Sequence, residues 1–145
     1  MVGKFEGIDI PKPTPTLTED SEPYWKGCKK HKLLIQRCKD CGHYRFPPSG
    51  ICPKCTSTNT EWARVSGRGK VYSWTVFHYL YHPAFSKDIP YNVAIIELEE
   101  GPRMHTNIVG CSNEDIFIDM PVEVVFEDIN EEIALPKFRP REKQQ

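Results

Sequence analysis

Cys38-Lys39-Asp40-Cys41-Gly42 is followed, across a nine-residue gap, by Cys52-Pro53-Lys54-Cys55. Each Cys-x-x-Cys turn presents two thiolates to one side, and two such turns facing each other complete the tetrahedral four-cysteine shell of structural zinc. Gly42 suits a tight bend in which backbone N–H groups point back at sulfur, and Pro53 stiffens the second turn by fixing φ. A redox dithiol needs only one Cys-x-x-Cys, normally beside a βαβ pattern, and that pattern is absent. Zn2+ is therefore the expected ion at Cys38, Cys41, Cys52 and Cys55. Fe is the alternative, because a mononuclear iron centre takes the same four ligands.

Working outward, 145 residues suit one ordinary domain or two small ones. A ribbon of about 35 residues buries too little apolar surface to fold alone, so the metal must supply much of its stability. Four of the six cysteines are claimed by metal, leaving Cys28 and Cys111. That usage fits a reducing, cytoplasmic location better than a secreted disulfide scaffold. The N-terminus lacks the apolar core of a signal peptide, and no apolar run is long enough to span a membrane.

A net charge of −1 hides an uneven distribution. Residues 24–60 carry eight Lys/Arg against Asp40 alone, whereas residues 71–132 carry Lys87 and Arg103 against twelve Asp/Glu. The tail from Ile133 is basic again. This asymmetry bears on which ligands are admissible.

In chain order, Pro11, Pro13 and Pro15 make residues 1–20 an extended, proline-rich tail lying across the surface or a partner. Residues 21–66 are expected to hold a helix and the ribbon. Ser21 is a candidate N-cap, Pro23 suits the first turn, and the helix is predicted to run to about Lys32. Tyr24, Trp25, Cys28 and His31 share one face, which either packs on the ribbon or serves as a docking element. Leu33–Arg37, Tyr44–Phe46 and Thr60–Val65 read as ribbon strands, with Trp62 packing against the metal clip. Ser66-Gly67-Arg68-Gly69 is a bend and the expected boundary. Residues 67–140 then alternate strands and turns. Val71–Phe77 has two substantial faces, as in a long curved strand. Tyr91–Leu98, Arg103–Val109, Val122–Phe126 and Ile133–Phe138 follow, with a helical turn at Asn113–Ile116. Five strands with that turn between the third and fourth describe an OB-fold barrel, and an SH3-like barrel is the alternative. The overall class is mainly β, with residues 141–145 a short tail.

At this point the chain resembles the two-domain rubredoxin-like zinc ribbon plus OB-fold proteins that accompany thiolases and other acyl-CoA enzymes. The resemblance rests on Tyr24-Trp25, Cys38-x-x-Cys41-Gly42, Phe46-Pro47-Pro48 and Cys52-Pro53-x-Cys55. It continues through Ser66-Gly67-x-Gly69-x-Val71-Tyr72-Ser73-Trp74-Thr75, Pro90-Tyr91-x-Val93-Ala94, Gly101-Pro102-Arg103 and Val109-Gly110. Met120-Pro121-Val122-x-Val124 and Leu135-Pro136-x-Phe138 complete it, so it covers about residues 21–140. It implies a cytoplasmic, non-catalytic subunit that binds acyl-CoA or scaffolds the enzymes handling it, with a thiolase-like partner.

The residues themselves weigh against other classes. OB folds that bind single-stranded nucleic acid combine stacking aromatics with a basic groove. The aromatics are present, but the acidic charge of the barrel segment would repel a phosphate backbone, so nucleic acid is the alternative ligand only. Coenzyme A needs a few cations and a mostly apolar channel. Arg64, Arg68, Lys70, Lys137, Arg139 and Arg141 are the candidates for its phosphates, and Trp74, Phe77, Tyr79 and Phe85 for its channel. Catalysis has weak candidates. His78 and His82 lack a Glu partner, His105 sits in a strand, Cys111 has no nearby cation, and Cys28 reads as a packed thiol.

Overall fold

A computed structural model describes residues 12–141, so the expected tails lie partly outside the described residues, which exclude 1–11 and 142–145. Helix α1 spans Glu22–Lys29 and buries Tyr24, Gly27 and Cys28, the face that the i, i+4 spacing assigns inward. Ser21 provides no side-chain cap. Thr18 takes over that end: its carbonyl accepts from the N–H groups of Ser21 (3.1 Å) and Glu22 (2.8 Å). The two hydroxyls of Thr18 and Ser21 bond each other at 2.8 Å.

The helix also stops at Lys29 rather than near Lys32. Lys32 N–H donates to Gly27 O and His31 N–H to Cys28 O, each at 2.9 Å. That is the 6→1 and 5→2 pattern of a Schellman motif. His31 holds the left-handed position (φ 59°) that glycine usually fills. A Cβ on Gly27 would meet Leu34 side-chain atoms at 2.8 and 2.9 Å, so this helix lies too close to the next strand for a larger residue.

The ribbon is a three-stranded antiparallel sheet of β1 (Leu34–Cys38), β2 (Tyr44–Arg45) and β3 (Thr60–Arg64), with β1 central. Arg45 is buried inside it without a carboxylate partner among the described residues. Its guanidinium donates to Ser49 Oγ (3.1 Å), Ser49 O (2.8 Å) and Thr60 Oγ1 (2.7 Å), tying the proline turn to β3.

The second sheet contains β4 (Arg68–Phe77), β5 (Tyr91–Leu98), β6 (Arg103–Thr106), β7 (Pro121–Asp128) and β8 (Ala134–Pro140), in the order β6-β5-β4-β7-β8. It curls, and a parallel bridge from Ile108, just after β6, to Phe138 of β8 brings its two edges together. The expected five strands and the short helical turn at Asn113–Asp115 are all present. The two-faced reading of β4 has a local cause. Its register against β5 slips between Val71 and Ser73, making Tyr72 the extra residue of a bulge. Past a bulge the inward parity changes, so Val71 and Trp74 both reach the core while Tyr72 stands outside.

One hydrophobic core runs through both units, from Tyr24, Cys28, Leu33 and Ile35 through Val65 to Val71, Ile96, Val122 and Phe138. Trp62, expected against the metal clip, is partly buried against this core. The helix contacts β1 on one side and β7 and β8 on the other. At its C-terminal end Lys29 Nζ bonds Asn130 O (2.6 Å), and His31 Nε2 lies 3.1 and 3.2 Å from the two Asp128 oxygens. The His31 ring stacks on Phe126 at 5.3 Å. The basic helix is therefore matched to an acidic corner of its own barrel.

Asp128 is held below the ordinary aspartate range, first by its bond to His31 and then by Lys29. A carboxylate lowered in this way stabilises the fold above its unfolded value of about 3.9, and the contribution disappears as pH falls through the lower folded value. Asp128→Asn is accordingly expected to lower the midpoint of thermal unfolding at pH 7. The difference from the parent chain should close on titration to about pH 2. Parallel melting curves at the two pH values check this, and an equal deficit at both would rule it out.

Candidate metal centre and barrel groove

The four cysteine sulfurs lie within 4.8 Å of one another. Cys38 Sγ is 3.5 Å from Cys55 Sγ, and Cys41 Sγ is 3.7 Å from Cys52 Sγ. A tetrahedral ion with metal–sulfur bonds of about 2.3 Å needs edges of about 3.8 Å, so the cluster is the right size for one ion. The two turns that carry it are built alike. Gly42 N–H donates to Cys38 O and Thr56 N–H to Cys52 O, both at 2.9 Å. Gly42 (φ 78°) and Thr56 (φ 64°) both take left-handed backbone just after the second cysteine of each pair. Glycine does so freely, whereas a β-branched residue is strained there. Asp40 joins the turns by accepting from Ser57 Oγ and from Asn59 Nδ2 (3.1 Å).

The donor chemistry also fits a cation. The Cys38 thiol is lowered to about 6, chiefly by the backbone N–H of Cys41, working against desolvation and helped by that of Asp40. Cys55 moves the other way, to about 12. The N–H of Ser57 favours its thiolate, but the sulfurs of Cys38 and Cys41 oppose it. Four thiolates this close need a positive ion between them. Cys38 and Cys52 are buried while Cys41 and Cys55 face out, so one side of the centre rests on protein and the other on solvent.

The remaining thiols are of a different kind. Burial pushes Cys28 up to about 12, which makes it a packed thiol. Cys111 is raised by desolvation and by Asp115. The side chain of His82 accepts from Ala84 N–H at 3.0 Å and so caps a one-turn 3-10 helix, and His105 is exposed on β6.

The residues singled out for CoA are placed as follows. Arg68, Glu123 and Arg139 occupy one row across β4, β7 and β8. Arg139 bonds Glu123 at 3.0 Å, and Arg68 pairs with Glu99 at 3.3 Å. Lys70 approaches Glu97 (4.0 Å) and Asp119 (3.6 Å), and Lys137 approaches Glu127 (2.9 Å). These four cations thus already face carboxylates. Arg64, at the end of β3, has no ion pair among the described residues. Trp74 packs on the core, and Phe77 stacks on Tyr91 at 5.4 Å.

Sequence reasoning missed a concavity beside the barrel. A groove of about 570 Å³ runs between the proline strap Lys12–Pro15 and the barrel. Its floor includes Tyr91, Asn92, Asn107 and Ile108, and Leu135 and Lys137 form the far wall. Of the ligand candidates, Lys137 and Phe85 line it and the others do not. Asn92 braces the floor, donating to Ile108 O (2.9 Å) and Asn113 Oδ1 (3.0 Å) while accepting from Ile108 N–H (2.7 Å).

Family models match the two units in turn. Residues 25–61 match the ChsH2 rubredoxin-like zinc ribbon domain, and residues 62–127 match the ChsH2 C-terminal OB-fold domain. A DUF35 domain-containing scaffold protein of Methanocaldococcus jannaschii is 47% identical over 110 residues, which cover 74% of this chain and 77% of that protein. The chain belongs to this ChsH2/DUF35 family. A solved member, described as the Ltp2-ChsH2(DUF35) aldolase, aligns with a TM-score of 0.80 and 40% identity over 88% of this chain and 98% of that one. A probable enoyl-CoA hydratase alpha subunit of Thermomonospora curvata is 40% identical over 89% of this chain, which spans only 40% of that longer protein. The expected zinc-ribbon and OB-fold architecture is that of the ChsH2/DUF35 family.

Proposed function

We propose that this chain is a non-catalytic scaffold for enzymes that handle acyl-CoA, with Zn2+ in its four-cysteine centre. The observation that carries the reading is the match over most of the chain to a DUF35 scaffold protein. Relatives named as subunits of benzoylsuccinyl-CoA thiolase (Thauera aromatica) and enoyl-CoA hydratase support a setting in thioester chemistry. The charge map suits a docking role. Among the described residues, Lys30, Lys32, Lys39, Lys54 and Arg64 of the ribbon unit have no carboxylate partner, whereas most barrel cations do. Unpaired cations on a metal-stiffened module are free to meet an acidic enzyme surface, which favours fast, salt-sensitive association.

Affinity purification of the tagged chain from its native extract tests this. A thiolase-like or other acyl-CoA enzyme should co-purify, and the isolated chain should turn over no acyl-CoA. Loss of the partner at raised salt is expected. Recovery of the chain alone at low salt would defeat the reading. Direct acyl-CoA binding through Arg64, Arg68, Lys70, Trp74, Phe77, Lys137 and Arg139 is the finer part of the proposal. It requires CoA phosphates to displace Glu99, Glu97, Asp119, Glu123 and Glu127 from their present partners. Thermal stabilisation by acetyl-CoA but not by adenosine supports it, and no shift with either removes it.

A further inference from the structure

The ribbon buries a positive charge on the face that carries one of its metal donors. Arg45 is paired with Gln36 across β1 and β2, while Gln36 and Cys38 are paired with Trp62 and Thr60 across β1 and β3. Paired residues, and residues two apart along a strand, point to the same side of a sheet, so Gln36, Cys38, Arg45 and Thr60 share one face. The guanidinium crosses that face. Its Nη2 donates to Thr60 Oγ1 at 2.7 Å, and Thr60 lies directly opposite Cys38. It also holds Ser49, whose hydroxyl donates to the carbonyl of Ile51 (3.1 Å), the residue before Cys52. Cys38 and Cys52 are the two buried donors of the four. The charge has no local explanation. Arg45 is 5% exposed, its acceptors on Ser49 and Thr60 are neutral, and its Nη1 has no hydrogen-bond partner among the described residues. A buried cation is unfavourable unless an opposite charge lies near it.

We propose that Arg45 is the built-in counter-charge of the four-cysteine centre, a positioning residue whose charge strengthens metal binding and sets the electrostatic potential at the sulfurs. The inference rests on the metal occupancy proposed above. Four thiolates around a divalent ion leave a doubly negative shell. On its outer side water and the exposed Lys39 and Lys54 can offset that charge. On the side that rests on protein there is no solvent to do so, and a fixed cation there acts with little screening. Arginine suits the place because it stays charged when buried, and its fork ties both knuckles while it does so.

The test uses the full chain in two forms, one loaded with zinc and one reconstituted with iron as a probe of the local field. A parent chain that binds neither metal removes the centre, and this role with it. In the zinc form, competition with a chelator should show Arg45→Gln binding about 10–100-fold more weakly, with Arg45→Lys recovering most of the loss. In the iron form the reduced centre carries one more negative charge than the oxidised one, so a neighbouring cation favours reduction. Arg45→Gln should therefore shift the reduced-to-oxidised ratio at least about tenfold toward the oxidised state, a fall of about 59 mV. Arg45→Lys should stay near the parent potential, and Lys54→Gln, at an exposed position, should move it by less than about threefold in that ratio. A clamp that acts only through hydrogen bonds would weaken binding in both Arg45 variants and leave the potential unchanged, and that result overturns the proposal. Parent-like zinc affinity in Arg45→Gln overturns it as well. If Arg45→Gln holds no metal, Arg45→Lys decides: metal bound at the parent potential supports the counter-charge, and loss of metal there too overturns it.

Discussion

Cys52→Ser should empty the metal centre and unfold the ribbon. Cys52 is fully buried, and its sulfur sits 3.7 Å from that of Cys41, so serine removes one of four donors from the enclosed side of the shell. The two turns hold few other contacts. Backbone bonds within each turn, the Lys39 N–H bond to Asn59 O (3.0 Å), the Arg37 bond to Gly42 O and the Asp40 link to Ser57 and Asn59 are among what remains to hold them together. For comparable zinc-finger peptides, binding of the ion is worth about 10–16 kcal/mol of apparent free energy, more than the whole stability of a typical domain. Metal analysis of the parent chain should give one zinc per chain and no iron colour. Cys52→Ser should contain none and should lose hydrogen-exchange protection across β1–β3. Because Leu33, Ile35 and Val65 belong to the shared core, protection in α1 should fall too. Cys111→Ser, at a half-exposed thiol outside the cluster, should keep its metal and stay within about 0.5 kcal/mol of the parent. Full metal occupancy and unchanged protection in Cys52→Ser would dismiss the centre as the ribbon's support.

The second large effect is expected at Gly69. A Cβ built there lies 2.5 Å from the Glu97 carbonyl oxygen and 2.9 Å from Ile96 Cγ2. The oxygen belongs to the backbone of β5, which is paired to β4 on one side and β6 on the other and cannot step aside. Gly69→Ala must therefore part β4 from β5 near the entry to the barrel. Overpacking of this kind costs about 1–3 kcal/mol, and the backbone neighbour places it at the upper end. A fall of about 6–12 °C in Tm follows for a chain of this size. Gly50→Ala is the control, since nothing lies within 4 Å of its Cβ, and it should melt with the parent. Equal melting of the two variants would show that β4 and β5 can spread at no cost.

Much of this architecture was legible because its signals are local. The Cys-x-x-Cys pairs announce a metal by spacing alone, and each barrel strand carries its own alternation and turn residues. Other features needed partners distant in sequence. The early stop of α1 is invisible at Lys30–Lys32, because His31 is an unusual occupant of the Schellman position, paired with Phe126 and Asp128 far along the chain. Ser21 reads as a cap on its own, but Thr18 supplies the accepting carbonyl. The cations at 68, 70, 137 and 139 read as a basic patch until register places a carboxylate beside each.

By itself the order of residues determined the four cysteines that the fold gathers into one cluster, the succession of helix, ribbon and curled five-stranded sheet, and the split between a basic and an acidic unit. Those follow from spacing, periodicity and charge, all of which act over a few residues. Tertiary structure alone decided which cations are already neutralised, where the helix ends, and that a proline strap lies along an aromatic groove. Each of these depends on side chains distant in sequence being brought within a few ångströms, which strand register and the curl of the sheet do.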